Sequence, residues 1–204
     1  MLNLIEQFGD IDIYLFDQLL RGRITSGMRI FDAGCGAGRN LVYFLRNGYE
    51  VFGVDTDENA VRRMQALAAT LTPGLPAQEH FRNEPIELTT FPNQFAHVVI
   101  CSAVLHFARD HAHFDAMLAG AWRLLKPGGL FFCRLASLIG MDEGRFRPLG
   151  QGRFLLPDGS ERYLVDEARL TRANTELTGQ ALDPLKTTVV QNERCMTTWV
   201  VRKR

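Results

Sequence analysis

The sequence predicts an α/β fold with a doubly wound sheet of about seven strands, mostly parallel, and a C-terminal antiparallel hairpin. Three observations support this prediction. Short apolar runs alternate with amphipathic segments of helical periodicity between residues 28 and 136. The apolar runs are nearly continuous, as strands buried on both faces require. Two further strand-like runs near the C-terminus are separated only by residues 192–194, which favours a hairpin at the sheet edge.

The individual elements follow from the period of the apolar residues. Strands are expected at residues 28–32, 50–55, 77–82, 97–101, 130–135, 185–191 and 195–202. Helices are expected at residues 11–21, 39–46, 59–70, 110–125 and 166–178. Residues 137–162 are rich in glycine and lack a clean period, so they are expected to form an irregular loop.

The chain is expected to form a single domain over residues 1–204, because 204 residues with 46% hydrophobic content suit one full core. No repeat, low-complexity tract or linker divides it. Within this domain we expect an N-terminal helical lid at residues 1–27 and a cofactor-binding core at residues 28–136. A substrate-side loop, a helix and the hairpin would then occupy residues 137–204.

Composition and charge narrow the class of protein. Lys and Arg equal Asp and Glu at 23 each, and this balance lowers the expectation of nucleic-acid or anionic-membrane binding. The cysteines form no C-x-x-C pair, so zinc or redox chemistry is not expected and no metal site is predicted. The sequence shows no signal peptide and no apolar run long enough for a membrane span, which predicts a cytoplasmic protein.

A glycine-rich turn follows the first predicted strand. Gly34, Gly36 and Gly38 come directly after Asp32, and a helix follows them. The next strand ends in Asp55, whose two carboxylate oxygens could accept both hydroxyls of a ribose. A tight turn without a ligand is the plainer explanation. The order of strand, glycines, helix, strand and acid favours a nucleotide-type ligand instead.

Two ligand classes compete for this turn. A dinucleotide site has the pattern G-x-G-x-x-G, but here the third glycine stands one position early. Asp32 would repel a pyrophosphate and would attract the ammonium group of a methionine moiety. The residues therefore favour S-adenosylmethionine over NAD.

Four segments in order resemble the motifs of class I S-adenosylmethionine-dependent methyltransferases, which have a Rossmann-like fold. They are residues 30–38, 51–55, 102–107 and 124–129, within a resemblance that spans about residues 28–136. Residues 38–43, 47–49 and 197–203 are also similar to the tellurite- and thiopurine-resistance type, whose members methylate small soft nucleophiles.

The resemblance implies roles for individual residues. S-adenosylmethionine would be bound, and S-adenosylhomocysteine released, by Asp32, Ala33, Gly34, Cys35, Gly36, Gly38, Asn40, Asp55, Thr56, Asn83, Glu84, Ser102 and Ala103. Either Asn83 or Glu84 would contact the adenine. On the substrate side we expect His106, Tyr14 and Tyr163. His106 is the single candidate for a catalytic base, and a structural role is equally compatible with its position.

The expected reaction is methyl transfer to a small-molecule nucleophile by in-line displacement. Two alternatives remain open at this point: a non-catalytic S-adenosylmethionine-binding partner subunit and an NAD-dependent oxidoreductase. Arginines 145, 147, 153 and 162 could clamp an acidic substrate or could lie in a solvated loop. Arg39 could pair with a ligand carboxylate or lie on a helix surface. The methyl acceptor and the oligomeric state are left open.

Overall fold

The structure is a computed structural model that describes residues 3–142 and 144–204. Residues 1 and 2 of the expected lid and residue 143 of the expected loop lie outside this range. A central sheet runs in the order β3-β2-β1-β4-β5-β11-β10, and β9 also pairs with β11. Its strands are β1 (Arg29–Ala33), β2 (Glu50–Asp55), β3 (Phe81–Asn83), β4 (Ala96–Ser102), β5 (Leu125–Ala136), β9 (Gly179–Ala181), β10 (Lys186–Val190) and β11 (Arg194–Lys203).

Strands β1 to β5 pair in parallel, whereas β11 runs antiparallel to β5, β9 and β10. The doubly wound α/β fold and its C-terminal hairpin are thus confirmed. A second, three-stranded antiparallel sheet consists of β6 (Arg147–Gly150), β7 (Arg153–Leu155) and β8 (Glu161–Tyr163). We call it the small sheet.

The helices are α1 (Leu4–Phe8), α2 (Ile13–Leu20), α3 (Val42–Arg46), α4 (Glu58–Leu71), α5 (Ala77–His80), α6 (His111–Leu124) and α7 (Glu167–Glu176). Short 3-10 helices cover Ile86–Leu88 and Leu105–Phe107. Four of the helices begin after an aspartate, at positions 12, 57, 110 and 166, whose carboxylate accepts a backbone N–H of the first turn. Such caps satisfy donors that the helix itself cannot pair.

Two apolar clusters lie on opposite faces of the central sheet, because successive side chains of a strand point to opposite sides. On one face, Phe31 and Phe131 pack with residues of α6. On the other face, Ile30 and Phe132 pack with residues of α2, α3 and α4. Helices thus cover both faces, as the near-continuous apolar strands predicted.

Two predictions of local structure are wrong. The strand expected at residues 77–82 is a single helical turn, α5, followed by β3. His80 stabilises this turn, since its Nδ1 lies 2.8 Å from the Val51 carbonyl oxygen and its ring stacks on Phe52. The irregular loop expected at residues 137–162 contains the small sheet, whose short strands carry too few residues to show a period. The division of the chain at residues 27 and 136 stays a prediction.

Of the helices within residues 3–142 and 144–204, none combines the length and apolar content that crossing a membrane requires.

Candidate functional site

Two cavities meet above the carboxyl ends of the parallel strands, where open α/β sheets bind their ligands. The first cavity encloses about 690 Å³ and the second about 330 Å³. The first is lined by Gly34, Val54, Asp55, Thr56, Glu84, Pro85, Ile86, Glu87, Leu88, Ala103, Val104, Phe107, Arg109, His113 and Met117. The second is lined by Ala103, His106, Arg134, Ala136, Leu156, Asp158, Ser160, Arg162, Thr188, Val190, Arg194, Cys195 and Met196. Ala103 is therefore a wall of both.

The three glycines after β1 serve different purposes, although all have positive φ. A Cβ atom on Gly34 would stand 2.3 Å from Val104 Cγ2, and one on Gly38 would stand 2.3 Å from Met64 Sδ. A Cβ atom on Gly36 would meet no heavy atom within 4 Å. Gly34 and Gly38 thus permit close packing, while Gly36 leaves open space beside its backbone.

Asp55 is fixed at the rim of the first cavity by backbone hydrogen bonds. The Gly36 N–H donates to its Oδ2 at 2.8 Å, and the Asp57 N–H donates to its Oδ1 at 2.9 Å. The amide of Asn83 donates to the Asp55 carbonyl oxygen at 2.9 Å. The carboxylate therefore links the glycine turn to the end of β2, and its expected contact with a ribose stays a prediction.

Asp32 is buried at the end of β1, and its Oδ1 has no hydrogen-bond partner among the described residues. Burial raises the pKa of this carboxyl well above its usual value, Arg39 opposes the shift, and Asp55 adds to it. An orphaned buried acceptor is uncommon, and it marks a place where a donor would be stabilising. Ala33, which ends β1 beside it, is fully buried.

Cys35 is buried inside the glycine turn. Burial, together with the charges of Asp32 and Asp55, raises the pKa of its thiol well above the ordinary value. The thiolate is the nucleophilic form of cysteine, so this side chain is suited to packing rather than to nucleophilic chemistry. Gly53 makes room for it, since a Cβ atom there would stand 2.9 Å from Cys35 Cβ.

The structure places Asn83, the last residue of β3, and Glu84, which follows it, in different surroundings. Glu84 lines the first cavity with Thr56, whereas Asn83 does not contribute to its wall. The Glu84 carboxylate accepts hydrogen bonds from the Thr89 hydroxyl at 2.7 Å and the Thr90 N–H at 2.8 Å. Burial raises its pKa, but these hydrogen bonds outweigh the effect and the net pKa is lowered. Glu84 therefore presents an ionised carboxylate that is already held in place.

A buried polar cluster, which sequence reasoning missed, ties the N-terminal helix to the sheet. The Asp12 carboxylate accepts from Arg134 Nη1 at 3.1 Å and from the Ser102 hydroxyl at 3.5 Å. Arg39 Nη2 donates to the Ser102 hydroxyl oxygen at 3.1 Å, and Asn40 Oδ1 accepts from the Asp12 N–H at 3.0 Å. Arg134 stands 122 positions from Asp12, so no local signal could have paired them.

The same contacts bear on two sequence-based assignments. Asn40 and Ser102 were expected to contact the cofactor, and in the structure both contact Asp12. Asp12 in turn caps α2 by accepting the Tyr14 N–H at 3.0 Å. The cofactor roles of Asn40 and Ser102 stay predictions. The Arg39 guanidinium donates to Ser102 while its side chain remains partly exposed, so both interpretations of Arg39 stay predictions.

His106 lines the second cavity, in an environment that disfavours the role of a base. Its Nδ1 accepts the Ala136 N–H at 3.2 Å, so the hydrogen of the neutral ring is on Nε2. Burial and the nearby charge of Arg162 lower its pKa to about 4. At neutral pH, His106 is thus an uncharged donor whose lone pair is already engaged.

Tyr163 was expected on the substrate side, and the structure places its ring in the apolar core. Its side chain is buried, its ring stacks on Phe114 at 4.7 Å, and its hydroxyl lies 2.8 Å from His111 Nδ1. It lines neither cavity and instead anchors the small sheet to α6.

Tyr14 supports the second cavity from behind. Its hydroxyl lies 3.0 Å from Thr188 Oγ1, and the Arg134 guanidinium lies 5.5 Å from the centre of its ring. Thr188 and Arg134 both line the cavity, so Tyr14 acts on the site through them.

A family model described as a methyltransferase domain matches residues 31–133, half of the chain. The putative methyltransferase YqeM of Bacillus subtilis is 31% identical over 115 residues, which cover 56% of this chain and 45% of YqeM. The chain spans about half the length of the curated relatives it matches first.

Solved structures share the fold. An S-adenosylmethionine-dependent methyltransferase of Methanosarcina mazei has a TM-score of 0.73 at 20% identity, covering 91% of this chain and 96% of that one. A Burkholderia thailandensis 1,6-didemethyltoxoflavin-N1-methyltransferase, solved with its substrate and S-adenosylhomocysteine, has a TM-score of 0.69 at 17% identity, covering 98% and 81%. TehB of Haemophilus influenzae has a TM-score of 0.64 at 15% identity, covering 95% and 63%.

These structural similarities establish the fold. The TehB match fits the resemblance to the tellurite- and thiopurine-resistance type of methyltransferase. The family follows from the domain model, whose matched residues begin within β1 and end within β5. They include the glycine turn, Asp55 and the wall at Ala103. The chain belongs to the class I S-adenosylmethionine-dependent methyltransferases.

Proposed function

We propose that this chain transfers the methyl group of S-adenosylmethionine to a small-molecule nucleophile. The observation that carries the proposal is the shared wall at Ala103. A donor held in the first cavity and an acceptor held in the second would meet there, at the end of β4. The second cavity, at about 330 Å³, lies at the lower end of the range of roughly 300–1,000 Å³ typical of small-molecule sites.

The residues that line the first cavity, together with Asp32 and Gly36 at the adjoining glycine turn, fit the cofactor. The unpaired Oδ1 of Asp32 would accept from the methionine ammonium, which would also stabilise its buried charge. Asp55 would hold the ribose, and the open space at Gly36 would admit the ligand close to the backbone. Thr56 and Glu84 would lie on the adenine side.

When bound, S-adenosylmethionine supplies a methyl carbon activated by its sulfonium, which an acceptor attacks in line with the carbon–sulfur bond. The contribution of the chain is to position the reactants, which can account for a large part of a rate enhancement. Ala103 has a positive φ of 64°, and its N–H donates to the Arg134 carbonyl oxygen at 2.7 Å. This bond fixes the wall at which donor and acceptor would meet.

The second cavity offers His106 as a hydrogen-bond donor rather than as a base. An acceptor that must first lose a proton to the enzyme, such as an alcohol, is therefore disfavoured. A thiolate or an uncharged amine attacks without such a base. We propose acceptors of these two classes.

The first test is calorimetric titration of the purified protein with S-adenosylhomocysteine, with NAD titrated in parallel. We expect micromolar binding of S-adenosylhomocysteine, weakened at least tenfold in Asp55→Ala because the ribose loses its acceptors. A screen of small thiols and amines for methyl transfer follows. Binding of NAD alone would support the oxidoreductase alternative, and cofactor binding without turnover of any acceptor would support the non-catalytic subunit.

A further inference from the structure

We propose that the methyl acceptor carries an oxyanion, such as a carboxylate or a phosphate, which Arg162 and Arg194 bind within the second cavity. This inference rests on the proposed function, because it assigns the substrate class of the same site. It starts from the charges that the fold brings to this cavity from three separate elements: β5, the small sheet and the C-terminal hairpin.

The wall of the second cavity has an excess of positive charge. Arg134, Arg162 and Arg194 line it, and Asp158 is the acidic residue in its wall. Arg134 is already paired with Asp12 at 3.1 Å. That leaves two arginines facing one aspartate, so the cavity retains one unbalanced positive charge at neutral pH.

The two remaining arginines are available for a ligand. Among the salt bridges found within residues 3–142 and 144–204, none involves Arg162 or Arg194. Arg162 is positioned by its own surroundings, since its Nη1 donates to the Glu161 carbonyl oxygen at 2.8 Å. Its guanidinium lies 4.8 Å from the centre of the Phe107 ring. A guanidinium held in this way loses less freedom when it binds an oxyanion.

Asp158 does not neutralise these arginines by direct contact. Its Oδ1 accepts the Ser160 N–H at 2.9 Å, and the hydrogen bonds of Ser160 are the main cause of its lowered pKa. The charges of Arg162 and Arg194 lower that pKa further, which indicates that all three groups face the same space. An anionic ligand in this space would complete the pairing of both guanidinium groups.

A second, independent observation concerns Arg134. Its Nε is buried and has no hydrogen-bond partner among the described residues, although Arg134 lines the cavity. A buried donor without an acceptor is destabilising, so this guanidinium is incompletely satisfied by the pairing with Asp12. The remaining wall includes Ala136, Leu156 and Val190, which suits an apolar body attached to the anionic group.

The other arginines of this region show that the arrangement is not a general property of the loop. Arg153 pairs with Glu161, Arg145 donates to the Asn192 carbonyl oxygen, and Arg147 is exposed on β6. None of these three lines the cavity. One alternative from the sequence was that arginines 145, 147, 153 and 162 clamp an acidic substrate. Of these four, Arg162 lines the cavity, and Arg194 of β11 joins it there.

The test is calorimetric titration with benzoate and with inorganic phosphate, using benzamide as the uncharged control. It is carried out on the free protein and on the protein loaded with S-adenosylhomocysteine. We expect at least one anion to bind and benzamide not to bind. Arg162→Gln and Arg194→Gln should each weaken anion binding about tenfold, and the double variant should abolish it. Arg147→Gln, which removes a charge from the same small sheet, should change nothing.

Affinity for S-adenosylhomocysteine, measured in every variant, separates the two proposals. If wild-type protein fails to bind it, the proposed function fails, and the anion titration of the free protein still decides whether the arginines form a site. Absence of anion binding at millimolar concentrations would overturn the inference. So would anion binding that the double variant retains in full.

A kinetic comparison adds a readout of substrate class. Thiosalicylate and its methyl ester present the same thiol with and without the carboxylate. We expect the acid to have the lower KM, and that advantage to disappear in the double variant but to be partly kept in Arg162→Lys. Equal use of acid and ester by wild-type protein would contradict the inference.

Discussion

The two cavities are built in different ways. The wall of the first comes mainly from positions at or directly after the ends of β1, β2, β3 and β4, and is completed by residues at and before the start of α6. The wall of the second combines the ends of β4 and β5 with the small sheet and both strands of the hairpin. The first cavity therefore depends mainly on residues at the ends of successive parallel strands. The second depends on contacts between segments that are distant in sequence.

The electrostatics of the two cavities differ in the same way. The acids Asp55, Glu84 and Glu87 outnumber Arg109 in the wall of the first cavity, whereas Arg162 and Arg194 provide positive charge in the second. The methionine ammonium and an anionic acceptor would be drawn to opposite sides of Ala103. The two cavities that share Ala103 thus carry charge of opposite sign in their walls.

The largest effect is expected at the glycine turn. Gly34→Ala places a Cβ atom 2.3 Å from Val104 Cγ2 at a φ of +92°, so strain and overpacking together should destabilise the fold by about 2–5 kcal/mol. Gly36→Ala is the matched control, because its φ is also positive but the added Cβ meets open space. Chemical denaturation measures both. Equal losses in the two variants would contradict the packing argument.

The second effect concerns acid sensitivity on the acceptor side. The pKa of His106 is about 4 in the folded protein, against an ordinary value of 6.5. The contribution of the neutral imidazole to the free energy of unfolding is therefore fully present above pH 6.5 and is lost as the pH falls through 4. The loss at pH 4 should be roughly 3 kcal/mol. His106→Asn keeps an acceptor for the Ala136 N–H and does not titrate. Denaturation at pH 7 and pH 4 should therefore show a smaller acid loss in the variant.

The third effect is the pH dependence of folding stability that Asp32 causes, and it runs in the opposite direction to that of His106. The raised pKa of Asp32 means that stability is fully present below its ordinary pKa of 3.8 and declines as the pH rises above that value. Asp32→Asn should therefore stabilise the ligand-free protein at neutral pH. It should also weaken S-adenosylhomocysteine binding about tenfold or more, because the charge facing the ammonium is removed.

Denaturation at neutral and at acidic pH, with calorimetry, measures both consequences of Asp32→Asn. The stability gain should shrink as the pH approaches 3.8. A variant that is less stable but binds the cofactor product normally would show that Asp32 is a structural residue.

The smallest effect is expected at Tyr163, outside both cavities. Tyr163→Phe removes the hydroxyl that contacts His111 and should lower the free energy of unfolding by about 1 kcal/mol, with no change in cofactor affinity or in acceptor KM. Tyr49→Phe is the control, because the described residues give its hydroxyl no hydrogen-bond partner and the change should be smaller. A large rise in KM for Tyr163→Phe would restore this residue to the substrate side.

How much could be predicted depended on how local the signal was. The glycine turn and Asp55 are placed as predicted, because each directly follows a strand with a clear apolar period. Asn40 and Ser102 were assigned to the cofactor from the same segments, but their side chains are engaged by Asp12, which lies far away in sequence. The burial of Tyr163 could not be predicted, because an aromatic residue in an irregular segment has the same appearance whether it packs in the core or lines a site.

The sequence by itself determined the parallel sheet, the hairpin, the glycine turn and the two acids beside it. These features depend on apolar periodicity and on residues adjacent along the chain. Tertiary structure alone decided that Arg134, Arg162 and Arg194 share one cavity, that the lone pair of His106 is engaged, and that Asp32 keeps an unpaired oxygen. The physical reason is that burial and charge pairing depend on contacts between elements that come together only in the complete sheet. The spacing of residues along the chain does not specify those contacts.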